Sequence, residues 1–214
     1  MKKLNNLNIK IFADGADLES IKAFNKHDYI KGFTTNPSLM KKVGIKDYKK
    51  FALELLGEIK DKPISFEVFS DDIYEMEKQA EEISTWGKNV NVKIPITNTK
   101  KESTAKIIKR LSESGIVCNI TAIFTLKQIE TVINVLDKST PAILSVFAGR
   151  IADAGQARRF RLRERLGRTV EVVSDETSQA RTSFARCASP GMAHGEGTES
   201  QVGRRARFPN PDQL

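Results

Sequence analysis

The sequence predicts an α/β fold with a parallel sheet, on three observations. Six short apolar runs have the length of strands. Amphipathic stretches of helical length separate most of them, and strands alternating with helices build βαβ units. The 214 residues are enough for one sizeable core, a size at which single α/β barrels occur.

The strand-like runs are residues 9–13, 30–34, 64–69, 90–96, 116–120 and 142–147. The helical stretches are 18–24, 48–59, 73–86, 102–111 and 126–136. In the third of these, Ile73, Met76, Ala80 and Ile83 recur at helical spacing and share one face. Start signals precede three helices: Asp17 before Leu18, Ser70 and Asp71 before Ile73, and Thr99 before Glu102. Asn36-Pro37-Ser38 reads as a loop leading to a helix cap.

Beyond Gly155 the composition changes. Residues 1–155 hold 22 Lys and 2 Arg against 20 acids, whereas 156–214 hold 11 Arg and no Lys against 7 acids. Both parts carry +4 of the net +8, built from different residues, so a boundary is expected near Gly155, dividing 1–155 from 156–214. Leu, Ile, Val and Phe supply 10 of the last 59 residues, below the roughly 20% at which order becomes difficult. The tail is therefore expected to be mainly irregular and Arg-rich, and a frame change or fusion would account for it. A strand over 169–174 is the weaker alternative. The tail's arginines also admit non-specific nucleic-acid binding, but Phe160, Phe184 and Phe208 are scattered and no nucleic-acid motif surrounds them.

Several classes are set aside. There is no apolar run long enough to span a bilayer, and the basic start lacks the apolar core of a secretory signal. Cys118 and Cys187 have no metal-like spacing, which fits a reducing, cytoplasmic setting. Cys118, His27, His194 and Trp86 carry nothing beyond structural or surface roles.

In a parallel α/β protein chemistry collects where strands end. Those ends hold Asp14, then Thr35 and Asn36, Glu67, Lys93, Asn119 and Thr121, and Ser145 with Phe147 and Arg150 just beyond. Lys93 stands out, because it lies between Val92 and Ile94 just before Pro95. Against apolar neighbours an ammonium is disfavoured, and the amine can attack a carbonyl to form a Schiff base. Taken alone, the stretch reads first as a lysine on a solvated strand edge. Asp14-Gly15 equally fits a turn, and Arg150 a surface charge.

Gly32-Phe33-Thr34-Thr35-Asn36-Pro37-Ser38-Leu39-Met40 and Val90-Asn91-Val92-Lys93-Ile94-Pro95-Ile96-Thr97 resemble two signature stretches of the transaldolase family, which includes the fructose 6-phosphate aldolases. Cys118-Asn119-Ile120-Thr121 and Ser145-Val146-Phe147-Ala148-Gly149-Arg150 match it too, so the resemblance covers about residues 9–155. It implies a TIM-type (β/α)8 barrel, of which about six βα units are recognisable here, and class I aldol chemistry with no metal and no cofactor. It implies Lys93 as the Schiff-base lysine, Asp14 as the acid/base, and Glu67 with Thr121 as the pair holding a water. Asn36, Thr35, Asn119 and Ser145 would bind the dihydroxyacetone unit, with Phe147 beside them and Arg150 on phosphate.

Partners implied are phosphorylated sugars of the pentose phosphate pathway: fructose 6-phosphate, sedoheptulose 7-phosphate, erythrose 4-phosphate and glyceraldehyde 3-phosphate. No specific nucleic acid and no membrane are implied, and a homo-oligomer is compatible. Glu67 and Phe147 match the transaldolase branch, where the aldolase branch tends to have Gln and Tyr, so transaldolase leads and fructose 6-phosphate aldolase follows. A third expectation is an inactive partial barrel, since six of eight strands leave open edges that invite pairing with other chains.

Overall fold

The computed structural model describes residues 10–153 and the backbone of 170–174. Seven parallel strands form one sheet in chain order: β1 (Ile11–Asp14), β2 (Ile30–Thr34), β3 (Ile64–Glu67), β4 (Val90–Pro95), β5 (Cys118–Ile123), β6 (Ala142–Val146) and β7 (Val170–Ser174). The connections carry α1 (Leu18–Asn25), α2 (Pro37–Lys42), α3 (Tyr48–Glu58), α4 (Ile73–Ser84), α5 (Ala105–Glu113), α6 (Leu126–Val135) and α7 (Ala148–Asp153). Strands laid side by side in chain order with helical crossovers are the pattern of a (β/α)8 barrel. Among the described residues β1 and β7 do not pair, so the sheet is a curled, partial barrel.

The register divides the sheet into two faces, because parallel partners point the same way and neighbours along a strand alternate. Phe66, Val92, Cys118 and Ala142 form one continuous apolar row, and Ile94, Ile120 and Leu144 another. These side chains are buried with Met76, Ala80 and Ile83 of α4 and Ile107, Ile108 and Leu111 of α5 in a single core. The intervening positions form the other face: Ser65 beside Asn91, and Glu67 beside Lys93 beside Asn119. A polar row on the concave side of a sheet whose convex side is covered by helices is where a barrel keeps its site. Burial pushes the Cys118 thiol up to about 12, as expected of an inert core cysteine. Gly32 allows close packing of β1 on β2, since a Cβ there would lie 2.3 Å from the Phe12 ring and 2.9 Å from the Pro63 carbonyl oxygen.

Five differences from the sequence expectation have physical causes. First, β5 starts at Cys118 rather than 116 and runs on to Ile123. A register shift between Ile120 and Ile123, with Ala122 at φ 57°, re-aims its end. Second, α4 is capped by Asp72, whose carboxylate accepts from the Glu75 N–H at 3.0 Å, rather than by Ser70 or Asp71. Third, α5 begins at Ala105, not near Glu102. Thr99 is not a cap: its N–H and hydroxyl both donate to the Asp71 carboxylate, at 2.8 and 2.6 Å, joining the loops after β3 and β4. Fourth, α2 is present, with the Asn36 side chain accepting from the Leu39 N–H at 2.8 Å and Pro37 in the first turn.

Fifth, the strand weighed as the weaker alternative over 169–174 exists as β7, parallel to β6 over Ala142–Val146. It lies beyond the boundary expected near Gly155, in the same sheet. The edge of β6 is a template for a β-branched segment, and Val170-Glu171-Val172-Val173 is one. The arginine run of 158–166 and all positions after Ser174 lie outside the described residues. Among the described residues no helix is long and apolar enough to cross a membrane.

Candidate active site

Lys93 sits on β4 with its side chain 12% exposed, facing away from the buried Val92 and Ile94. Its Nζ lies 3.1 Å from the Glu67 Oε2 and donates to the Thr35 carbonyl at 3.2 Å. Glu67 is the register partner of Lys93 on β3, and its side chain is 19% exposed. Burial pushes the Glu67 carboxyl above its ordinary range, although the Lys93 ammonium beside it pulls the other way. The charge of Asp14 also pushes it upward. Tyr48, at the start of α3, donates its hydroxyl to the Glu67 carbonyl at 3.1 Å, and burial raises that phenol too.

Asp14 ends β1, where its carboxylate accepts from the Thr34 hydroxyl at 2.8 Å and the Asn36 Nδ2 at 3.4 Å. Asn36 thereby caps α2 with its oxygen and holds Asp14 with its nitrogen. Thr35 is fully buried, and its hydroxyl donates to the Ser65 carbonyl at 3.0 Å. That leaves Thr35 no hydroxyl proton for a ligand. Its carbonyl lies under Lys93.

Across β4, the Asn119 Nδ2 donates to the Ser65 Oγ at 3.0 Å, and the Ser145 hydroxyl donates to the Asn119 Oδ1 at 2.7 Å. Thr121 lies two residues further along β5, 2% exposed, and its buried Oγ1 has no hydrogen-bond partner among the described residues. A buried hydroxyl without a protein partner is a place for a water or ligand atom. Phe147 and Arg150 stand apart from this network. The Arg150 guanidinium lies 4.6 Å over the Phe147 ring, and Phe147 meets Phe124 edge to face at 5.5 Å. Among the described residues no group of His, Cys, Asp or Glu is arranged to hold a metal ion.

Thus Lys93, Glu67 and Thr35 are in direct contact, Asp14 joins Asn36, and Asn119 joins Ser145. Residue reasoning missed Ser65, Thr34 and Tyr48. Ser65 was findable as the residue two before Glu67, hence on the same face of β3. Tyr48 had no local signal, because α3 brings it to Glu67 from 19 residues away.

The Glu67 carboxyl has a consequence for stability. A carboxyl whose pKa is higher in the folded than in the unfolded chain binds more protons when folded, so stability falls as pH rises through that interval. We expect wild-type urea midpoints to decline from the ordinary glutamate range up through the raised folded value. Glu67→Gln should lack that component of the slope. Parallel pH profiles for the two proteins would contradict this.

Residues 11–183 match the family model described as Transaldolase/Fructose-6-phosphate aldolase. A "Probable transaldolase" of Dehalococcoides mccartyi is 39% identical over 147 residues, covering 69% of this chain and 64% of that protein. One from Methanococcus maripaludis is 39% identical over 156 residues, covering 73% of this chain and 68% of its own. One from Streptococcus agalactiae is 36% identical over 147 residues, covering 69% and 64%. The chain therefore spans about two thirds of the length of the curated relatives it matches.

Proposed function

We propose that this chain, which belongs to the transaldolase/fructose-6-phosphate aldolase family, transfers a three-carbon ketol unit between phosphorylated sugars through a Schiff base on Lys93. The observation that carries this reading is the desolvated Lys93–Glu67 pair at the strand ends, with an N–O separation of 3.1 Å. A lysine becomes a nucleophile only after losing its proton, and a carboxylate made more basic by burial is a suitable acceptor for it.

Lys93 first passes a proton to Glu67, and the free amine adds to the C2 carbonyl of a ketose such as fructose 6-phosphate. The resulting carbinolamine loses its hydroxyl as water, with the proton supplied by Glu67 through a water shared with Thr121. The unpartnered Thr121 hydroxyl supports that water position. Asp14 then takes the C4 hydroxyl proton, the C3–C4 bond breaks, and its electron pair flows into the iminium to give an enamine. The aldose leaves. The enamine carbon attacks an acceptor aldehyde such as erythrose 4-phosphate, Asp14 returns its proton to the new hydroxyl, and hydrolysis frees the product ketose and Lys93.

Asn36, Asn119 and Ser145 would hold the three-carbon unit, and Arg150 the phosphate. Phe147 offers an incoming water no hydrogen bond, which favours transfer to an aldehyde over release by protonation and so transaldolase over free aldolase. Phosphorylated sugars as substrates go with a cytoplasmic setting.

The test is borohydride reduction in the presence of fructose 6-phosphate, followed by peptide mass analysis. A stable mass increase localised to Lys93 is expected. Absence of an adduct, or one on another lysine, would refute the reading.

A further inference from the structure

We propose that Ser65 is a positioning residue that anchors the Asn119 amide, and through it the Asn119–Ser145 pair, for the ketol unit, an inference that rests on the ketol-transfer reading. Ser65 is fully buried on the concave face of β3, two residues before Glu67. The Asn119 side chain reaches past β4, the strand that carries Lys93, to donate its Nδ2 to the Ser65 Oγ at 3.0 Å. With the nitrogen committed toward β3, the amide oxygen faces β6 and accepts the Ser145 hydroxyl proton at 2.7 Å.

The chain of bonds has one direction. Ser145 has a single proton, spends it on Asn119, and keeps only lone pairs for a ligand. Asn119 keeps one N–H. The pair then accepts from one substrate hydroxyl and donates to a neighbouring oxygen, a pattern that adjacent oxygens of a ketol satisfy and that a carbonyl compound without the hydroxyl does not.

The same residue steadies the lysine. The Ser65 carbonyl accepts from both the N–H and the hydroxyl of Thr35, each at 3.0 Å, and the Thr35 carbonyl accepts from Lys93 Nζ at 3.2 Å. The backbone half of this arrangement survives any substitution at position 65, whereas the side-chain half does not. Without the Ser65 Oγ the Asn119 amide loses its anchor on β3 and is held by Ser145 alone. If the amide turned over, Ser145 would have to accept from Asn119, and its proton would face the ligand.

The experiment compares Ser65→Ala with Ser65→Thr, which keeps the oxygen. Losing one directed hydrogen bond should raise KM for the ketose donor about ten-fold in Ser65→Ala and leave KM for the aldehyde acceptor unchanged. Ser65→Thr should restore much of the donor KM. Equal changes for donor and acceptor, or no change, would overturn the proposal.

A readout independent of turnover is the side-chain amide proton signal of Asn119 by NMR. Its exchange should be slow in the wild type and fast in Ser65→Ala, with Asn89, held by the Ile59 and Lys62 carbonyls, as the unchanged control. Unaltered Asn119 exchange also overturns it. If Ser65→Ala does not fold, Ser65→Cys keeps the volume with only a weak sulfur acceptor and is read in the same assays. A wild-type chain that forms no Lys93 adduct refutes the ketol-transfer reading, while the exchange measurement still decides the part played by Ser65.

Discussion

Lys93→Met is expected to lower kcat/KM for ketol transfer on the order of 10⁴-fold or more, with the fold retained, because it removes the only group proposed to bond to the substrate carbon. Methionine is close to lysine in length and flexibility, so the space beside Glu67 and the Thr35 carbonyl stays filled. The charge change is also tolerable. Burial already pushes the Glu67 carboxyl up while the Lys93 ammonium pulls it down, so removing that ammonium favours the neutral carboxyl further. A neutral carboxyl replaces an ion pair, and no uncompensated charge is left in the site. Steady-state kinetics, with unfolding followed alongside, checks both parts. Turnover above about a hundredth of wild type would show that another group forms the bond.

Phe66→Ala should be the most damaging single truncation of the core near the site. Phe66 is fully buried on the convex face of β3, with Ser65 and Glu67 pointing the other way. Its ring meets Tyr48 edge to face at 6.0 Å and Trp86 at 5.8 Å, and Tyr48 meets Trp86 at 5.4 Å. Deleting a buried phenylalanine costs about 3–5 kcal/mol, because the cavity collapses only in part. Against a typical total of roughly 5–15 kcal/mol this takes a large share.

The loss would also reach the chemistry. The Tyr48 hydroxyl that donates to the Glu67 carbonyl is positioned by this aromatic packing, so the carboxyl beside Lys93 loses part of its support. Trp86 is the single tryptophan of the chain and belongs to the same cluster, so its fluorescence reports the unfolding transition directly. A urea-derived loss under about 1 kcal/mol would mean that Tyr48 and Trp86 close over the gap.

Much of the fold was legible because its signals are local. Asp17 accepts from the Ser20 N–H three residues on, and the helix starts where that cap puts it. The strands β2, β3, β4 and β6 begin at Ile30, Ile64, Val90 and Ala142, where the apolar runs begin. The misplaced start of α5 shows the limit. Thr99 has the right residue type for a cap, but an acceptor 28 residues away, the Asp71 carboxylate, takes both of its donors. Local propensity proposes and the tertiary partner decides. For the site, the residue types and the family resemblance pointed to Lys93, Asp14 and Glu67, but not to Ser65, whose serine has no distinctive pattern around it.

By itself the sequence determined the alternation of strands and helices and the end of the sheet where polar residues gather. These follow from periods of two and about 3.6 residues and from caps that act within one turn. Only the tertiary structure decided who meets whom. Lys93 rests on a carbonyl 58 residues earlier, Asn119 donates to a serine 54 residues earlier, and β7 pairs along the edge of β6. The physical reason is that a buried polar group must find a partner wherever the fold brings one, and that partner is seldom a neighbour in the chain.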